Sequence, residues 1–166
     1  MPMRGQNCSI AATLEIVGER WTLLVIRELL LGRTRFGDLQ RKIGVSSNIL
    51  SARLGVLVDH GLVAKRRVPI RGQVFDYALT TKGADLLPVL VELSKWGDRH
   101  GGWVAGPPRV WFHTACEHTT TPEHACSHCH ERIEPGELRV LPGPGASAQQ
   151  REEGLLPAPD LVTRQV

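Results

Sequence analysis

Most of the side chains that could bind a metal lie in one stretch near the end of the chain. Three of the four cysteines and five of the seven histidines fall between positions 113 and 130. They are spaced as His113-Thr-Ala-Cys116, nine further residues, then Cys126-Ser-His-Cys129. Two short turns, each with ligands three positions apart, can direct four ligands at one tetrahedral ion, and thiolates with imidazole suit zinc. The spacing predicts a structural Zn²⁺ site formed by His113, Cys116, Cys126 and Cys129.

Other arrangements of this cluster stay open. His118, His128 or His130 could replace His113 as the nitrogen ligand, and the alternative to any metal is a loose tail with reactive thiols. In a chain without signs of secretion, clustered cysteine and histidine favour a metal over disulfides. About thirty residues cannot build a hydrophobic core unaided, so a metal would supply the folding energy.

The chain lacks the motifs of common enzymes. It contains no glycine-rich phosphate loop, no G-x-S-x-G and no H-E-x-x-H. The predicted metal site has four protein ligands and no open position, which favours a structural over a catalytic role. We expect no enzymatic activity.

A second concentration of chemistry is electrostatic. Positions 33–82 carry ten lysines and arginines against three acidic residues, whereas positions 101–166 carry five against eight. Such a local positive charge is typical of a protein that binds a polyphosphate. The alternative is the solvated face of an ordinary domain, and charge alone does not decide between them.

The elements that would position this charge follow from the hydrophobic periodicity, which predicts helices and one β-hairpin. In chain order they are helices at 9–17 and 19–31, two short helices at 36–43 and 47–60, strands at 62–68 and 73–79, and a long helix from Thr80 or Thr81 to about Gly101 that Pro88 would kink. The second helix is apolar around most of its circumference and should occupy the centre of the core.

The fourth helix separates an apolar from a polar face. Ser46 is a good N-cap, and Leu50, Leu54 and Leu57 form an inward stripe. The opposite face carries small and polar residues, namely Ser47, Asn48, Ser51, Ala52, Gly55 and Asp59. A helix with such an open face can enter a DNA major groove, although a plain surface helix would have the same pattern.

The composition changes after Gly101-Gly102. We predict one domain over 1–104, a zinc-ribbon-like module over 105–141 and a disordered tail over 142–166, which is rich in proline and glycine. The long helix before this joint should bury its apolar stripe against a partner subunit, unless it packs within one chain.

The start of the chain has no signal-peptide pattern, and the longest apolar run, near Trp21 to Leu31, is too short to span a bilayer. We expect a cytoplasmic protein without membrane contact.

The order of these elements and several motifs resemble the HxlR family of bacterial winged helix-turn-helix regulators. The resemblance covers roughly residues 8–100. The matching segments are Cys8–Ala11, Gly18–Leu30, Arg35–Leu39, Gly44–Leu54, Gly61–Val63, Tyr77–Gly83 and Trp96–Gly97. It implies a mainly α protein with a small β-hairpin (α+β), acting as a dimeric repressor or activator.

The resemblance also implies where DNA would bind. The recognition helix matches Ser46–His60 and the wing matches Arg66–Gln73. Candidates for reading base edges are Ser46, Ser47, Asn48, Ser51 and Arg53. Candidates for phosphate or minor-groove contact are Arg33, Arg35, Lys42, Arg67 and Arg71. A two-fold dimer would require an inverted-repeat operator with half-sites about one helical turn apart.

Cys8 matches a position that serves some family members as a redox-sensing thiol. It precedes the first helix, whose N-terminus would favour the thiolate. The alternative is a small buried apolar residue. The leading hypothesis is therefore a DNA-binding regulator that responds to an oxidant, an electrophile or a small ligand. The rival is a protein-interaction adaptor built on a winged helix and a zinc ribbon.

Overall fold

The computed structural model describes residues 7–69, 74–134 and 136–153. These fall into two compact units, the first ending at Gly106 and the second beginning at Pro107. The first unit contains α1 (Ser9–Val17), α2 (Arg20–Leu30), α3 (Phe36–Ile43), α4 (Ser47–Asp59), β1 (Val63–Arg67), β2 (Phe75–Leu79), α5 (Thr81–Ala84) and α6 (Leu87–His100). The second contains β3 (Trp111–His113), β4 (His118–Thr120) and α7 (Ala148–Glu153).

The core of the first unit is built around α2, as its apolar sequence predicts. Val25 and Ile26 are fully buried, and α2 packs against α1, α3, α4, β2 and α6. The inward stripe of α4 is confirmed, because Leu50, Leu54 and Leu57 are all buried. A fully buried leucine contributes roughly 1.5–3 kcal/mol relative to an exposed one. This burial fixes the rotation of α4 about its axis.

The turn between α3 and α4 follows the local signals in the sequence. α3 ends at Gly44, whose φ of 77° lies in the left-handed region that glycine tolerates best, and its N–H donates to the Gln40 carbonyl at 2.9 Å. α4 begins after Ser46, whose hydroxyl accepts from the Ile49 N–H at 3.4 Å, so the predicted N-cap is confirmed. The two helices therefore form a helix-turn-helix.

The hairpin is antiparallel, and a third segment is bonded to its second strand. Val63 pairs with Leu79 and Arg67 with Phe75, while the loop that contains Arg71 and Gly72 lies outside the described residues. A third segment joins the pair, since Arg35 bridges to Asp76 and the Tyr77 N–H donates to the Thr34 carbonyl at 2.9 Å. The start of α3 and the wing are thereby tied together.

The predicted long helix is two helices. α5 ends at Ala84, and α6 starts at Leu87, with Pro88 in its first turn. Proline lacks the N–H that an inner turn needs but fits the first turn, where that N–H has no intrahelical partner. The residue therefore starts a helix here and does not kink one. In α1 the N-cap position is occupied by Cys8, and no side chain caps the helix.

The second unit has little apolar burial, and none of its described residues is buried. Part of the predicted disordered tail is helical, because α7 occupies 148–153. Its start has a reciprocal cap: the Gln150 N–H donates to the Ser147 hydroxyl, and the Ser147 N–H donates to the Gln150 side chain. Residues 154–166 lie outside the described part. Across the described ranges, the structure has no helix long and apolar enough to cross a membrane.

Candidate nucleic-acid interface

The outer face of α4 is open to solvent. The small and polar residues opposite the leucine stripe are all exposed: Ser47, Asn48, Ser51, Ala52, Gly55 and Asp59. Because the three buried leucines fix the helix rotation, this face must project outward. Short side chains also allow a close approach to base edges, where hydroxyl and amide groups can hydrogen-bond.

Two of the predicted base-reading residues have partners within the protein. The Ser46 hydroxyl caps α4, so it is already used in holding the first turn. The Arg53 Nε lies 3.8 Å from a Glu19 carboxylate oxygen, and the Arg53 side chain is about one quarter exposed. Ser47, Asn48 and Ser51 are therefore the clearest groove candidates on α4.

Arg33 is held by a buried carboxylate at the end of α2. Its Nη1 lies 2.8 Å from Glu28 Oε2, an ion pair that lacks the alignment of a hydrogen bond. The other oxygen of Glu28 accepts from Arg27, with Nη2 at 2.6 Å and Nε at 2.8 Å. The Glu28 side chain is only 4% exposed, so Arg33 neutralises a buried charge in addition to its predicted phosphate contact.

Arg35 is likewise engaged. Its Nε lies 2.9 Å from Asp76 Oδ1, and that oxygen also accepts a hydrogen bond from the Thr34 hydroxyl at 3.3 Å. This pair connects the first residue before α3 to the wing. Both arginines are candidates from the sequence, whereas Glu28 and Asp76 are not, because each of these contacts joins residues that lie on different elements.

The wing presents a row of cations. Lys65, Arg66 and Arg67 are exposed on β1, and the Lys65 ammonium lies 4.1 Å from the centre of the Phe75 ring. Lys42 is exposed in the last turn of α3. Of these three cations, only Arg67 is among the candidates chosen from the sequence; Lys65 and Arg67 share one face of the strand and Arg66 lies on the other. Arg71 is outside the described residues.

Tyr77 anchors the strand beneath this row. It is buried on β2 and pairs with Lys65 across the hairpin. Burial raises the pKa of the Tyr77 phenol above its usual value. The ring therefore stays uncharged and forms part of the core under the wing.

Cys8 is exposed and unbridged at the N-cap of α1. The remaining cysteines form two separate pairs with their neighbours. His113 Nδ1 lies 3.2 Å from the Cys116 sulfur. The backbone N–H of Cys129, that of His128 and the Cys129 thiol hold the pKa of Cys126 below its usual range. In the described ranges, no group of three or more His, Cys, Asp or Glu side chains is arranged to hold a metal ion.

A profile of HxlR-like helix-turn-helix proteins matches residues 16–103, which is more than half of the chain. The chain belongs to the HxlR-like helix-turn-helix family. The match spans the helix-turn-helix, the wing and α6, and with them the exposed polar and basic surface described above. The HxlR-type chain is therefore a transcriptional regulator, which favours this interpretation over an adaptor.

Individual relatives agree with this assignment. The HTH-type transcriptional regulator Rv3095 of Mycobacterium tuberculosis is 39% identical over 146 residues, covering 88% of this chain and 92% of the relative. YvaP of Bacillus subtilis, also an HTH-type regulator, is 36% identical over 49% of this chain and 77% of its own length. Because the first unit ends at Gly106, the match to Rv3095 includes part of the second unit.

Solved structures show the same fold. PA1607, described as a candidate transcription factor, superposes with a TM-score of 0.72 at 28% identity, covering 82% of this chain and 95% of that one. The reduced form of the transcriptional regulator YodB from B. subtilis has a TM-score of 0.50 at 28% identity, over 58% and 97% of the two chains. The HxlR-like chain is thus a mixed helical protein with the small antiparallel hairpin of winged-helix transcription factors.

Proposed function

We propose that this protein acts as a homodimer that binds an inverted-repeat operator, with α4 in the major groove and the wing on the flanking backbone. The observation that carries the proposal is the exposed polar face of α4, held outward by three buried leucines and accompanied by the cations of β1. Such a protein works in the cytoplasm, where bacterial DNA lies.

Two helices support the dimer. α1 and α6 leave several large apolar side chains in solvent within the first unit: Ile10, Leu14, Leu87, Val89, Leu93 and Trp96. Trp96 is 65% exposed, and Ile10 is 71% exposed. Scattered apolar residues are common on surfaces, but two apolar helix faces in one small unit favour burial against a second copy. The dimer sets half-sites about one helical turn apart.

The proposal is tested with DNA from upstream of the protein's own gene, titrated by fluorescence anisotropy at two salt concentrations. Asn48→Ala should weaken specific binding by about 1–3 kcal/mol, since it removes an amide that can pair with a base edge. Arg67→Ala should weaken binding to any sequence and reduce the salt slope by about one.

Gln149→Ala is the matched control, because it removes an amide from α7 in the other unit. It should bind as the wild type does. Equal affinity of the wild type for the operator and for random DNA, with no dependence on salt, would contradict the proposal.

Cys8 is the candidate for a response to oxidants, because its thiol is exposed at the start of a helix on the proposed dimer surface. A peroxide would transfer one oxygen to the thiolate, giving a sulfenic acid and hydroxide. The same titration after hydrogen peroxide treatment should give a lower operator affinity for the wild type and an unchanged one for Cys8→Ser. Unchanged wild-type affinity, with Cys8 verified as oxidised by mass spectrometry, would eliminate this role.

A further inference from the structure

The two ligand-bearing turns of the second unit have the same backbone. In the first, the Glu117 N–H donates to the His113 carbonyl at 2.9 Å; in the second, the His130 N–H donates to the Cys126 carbonyl, also at 2.9 Å. Glu117 has a φ of 56° and His130 a φ of 61°, and they are the non-glycine residues with positive φ in the described ranges. The same turn therefore occurs twice, thirteen residues apart.

The strands around the turns repeat as well. His113 pairs with His118 in the β3–β4 hairpin, and at the equivalent place the Cys126 N–H donates to the Glu131 carbonyl at 2.9 Å. One step outward, Phe112 pairs with Thr119, and Ala125 bridges to Arg132. Each turn is thus the tip of a small hairpin that presents a nitrogen or sulfur ligand at its first and fourth positions.

The ligands within each turn already converge. His113 Nδ1 and the Cys116 sulfur are 3.2 Å apart, close to the separation of two ligands on one zinc ion. In the second turn, the backbone N–H groups of His128 and Cys129 point at the Cys126 sulfur. Hydrogen bonds to a ligand atom fix its orientation toward a metal.

Apolar burial does not explain why these hairpins are ordered. No described residue of the second unit is buried, and Val110 and Phe112 are 67% and 57% exposed. Left-handed backbone at Glu117 and His130 costs about 1–2 kcal/mol per residue. A unit of this size with strained turns and no core needs a cross-link or a bound ion for stability.

We propose that the second unit is a zinc module in which His113, Cys116, Cys126 and Cys129 bind one structural Zn²⁺. Each turn is a preformed half-site. In the structure, no three of these four side chains lie close enough together to bind one ion. The two hairpins must therefore move toward each other when the ion binds. Binding converts three thiols to thiolates and releases three protons to solvent, while neutral His113 donates a ring-nitrogen lone pair. Four protein ligands leave no open position, so the ion holds the fold and does no chemistry.

The full-length protein, purified without chelator, should contain one zinc per chain by elemental mass spectrometry. Cys116→Ser and Cys129→Ser should each lose the metal, because each removes one ligand from a different half-site. Cys8→Ser is the matched control for loss of a thiol, and His128→Gln for a change inside the second turn; both should keep one zinc. His113→Gln tests the nitrogen ligand against His118 and His130.

Cobalt gives a second readout that does not depend on how the protein was purified. Co²⁺ added to the zinc-free wild type should produce the visible bands of tetrahedral thiolate coordination, and His113→Gln should change them. Absence of zinc together with absence of these bands would overturn the proposal, as would one zinc per chain in both cysteine variants. DNA binding is measured separately on the same samples, so failure of the metal site and failure of the proposed regulator function are distinguishable.

Discussion

A Gly83→Ala substitution is expected to lower the free energy of unfolding of the first unit by about 3 kcal/mol, the upper end for overpacking a tight site. A Cβ at this position would lie 2.1 Å from the Leu62 carbonyl oxygen and 3.0 Å from both its carbon and a methyl of Leu79. Two of the three atoms are backbone, so no rotamer change relieves the clash. The measurement is chemical denaturation followed by circular dichroism.

The site is sensitive because three elements meet there. The same Leu62 oxygen accepts from the Thr80 N–H at 3.0 Å and from the Thr80 hydroxyl at 3.2 Å. That hydroxyl in turn accepts from the Gly83 N–H and caps α5. A methyl group that moves Leu62 away therefore disturbs the start of β1, the end of β2 and α5 together.

Gly55→Ala is the matched control for this prediction. Gly55 lies in the middle of α4 and is exposed. The Cβ that alanine adds there would have no heavy atom of a neighbouring group within 4 Å. The change should stabilise the protein by about 0.5–1 kcal/mol, since alanine loses less backbone entropy in a helix. Both variants must be compared at one protein concentration, because the proposed dimerisation would link stability to it. Equal stability of the two variants would show that Gly83 is not constrained by space.

The helix-turn-helix was predictable because its signals are local. Apolar spacing located the leucine stripe of α4, and Ser46 and Gly44 marked its start and the turn before it. The same reasoning erred at Pro88, where one residue type permits both a kink and a helix start. Only the packing of α5 and α6 decides between them, and packing depends on contacts distant in sequence.

The candidate site was also predictable only where its signals are local in the sequence. The polar face of α4 follows from helix periodicity, whereas the partners of Arg33 and Arg35 do not, because Glu28 and Asp76 lie on other elements. The positive φ values at Glu117 and His130 were not predicted from the sequence either, since glutamate and histidine rarely adopt them. The capping pattern Ser147-x-x-Gln150 was visible in the sequence and could have predicted α7 within the tail.

Arg33→Met is expected to destabilise the first unit by about 3 kcal/mol, the lower end for breaking a buried ion pair. The Glu28 side chain is 4% exposed, so the variant leaves a buried carboxylate with one cation fewer. Two features limit this cost. Arg27 stays paired with the other carboxylate oxygen, and because Arg27 is 43% exposed, water reaches that pair. The free energy of unfolding is measured by denaturant titration, with Arg41→Met as the control. Arg41 is 73% exposed in its pair with Asp38, so its loss should cost about 0–1 kcal/mol.

A second substitution separates the structural role of Arg33 from its predicted contact with phosphate. Glu28→Gln in the Arg33→Met background removes the buried charge that has lost one of its two cations and keeps the side-chain shape, so most of the lost stability should return. DNA affinity is then measured on this stable double variant. If the affinity also returns, Arg33 serves DNA binding only by neutralising Glu28 beneath the turn that leads into α3. If the affinity stays low while stability recovers, Arg33 contacts phosphate directly, and the salt slope should fall by about one.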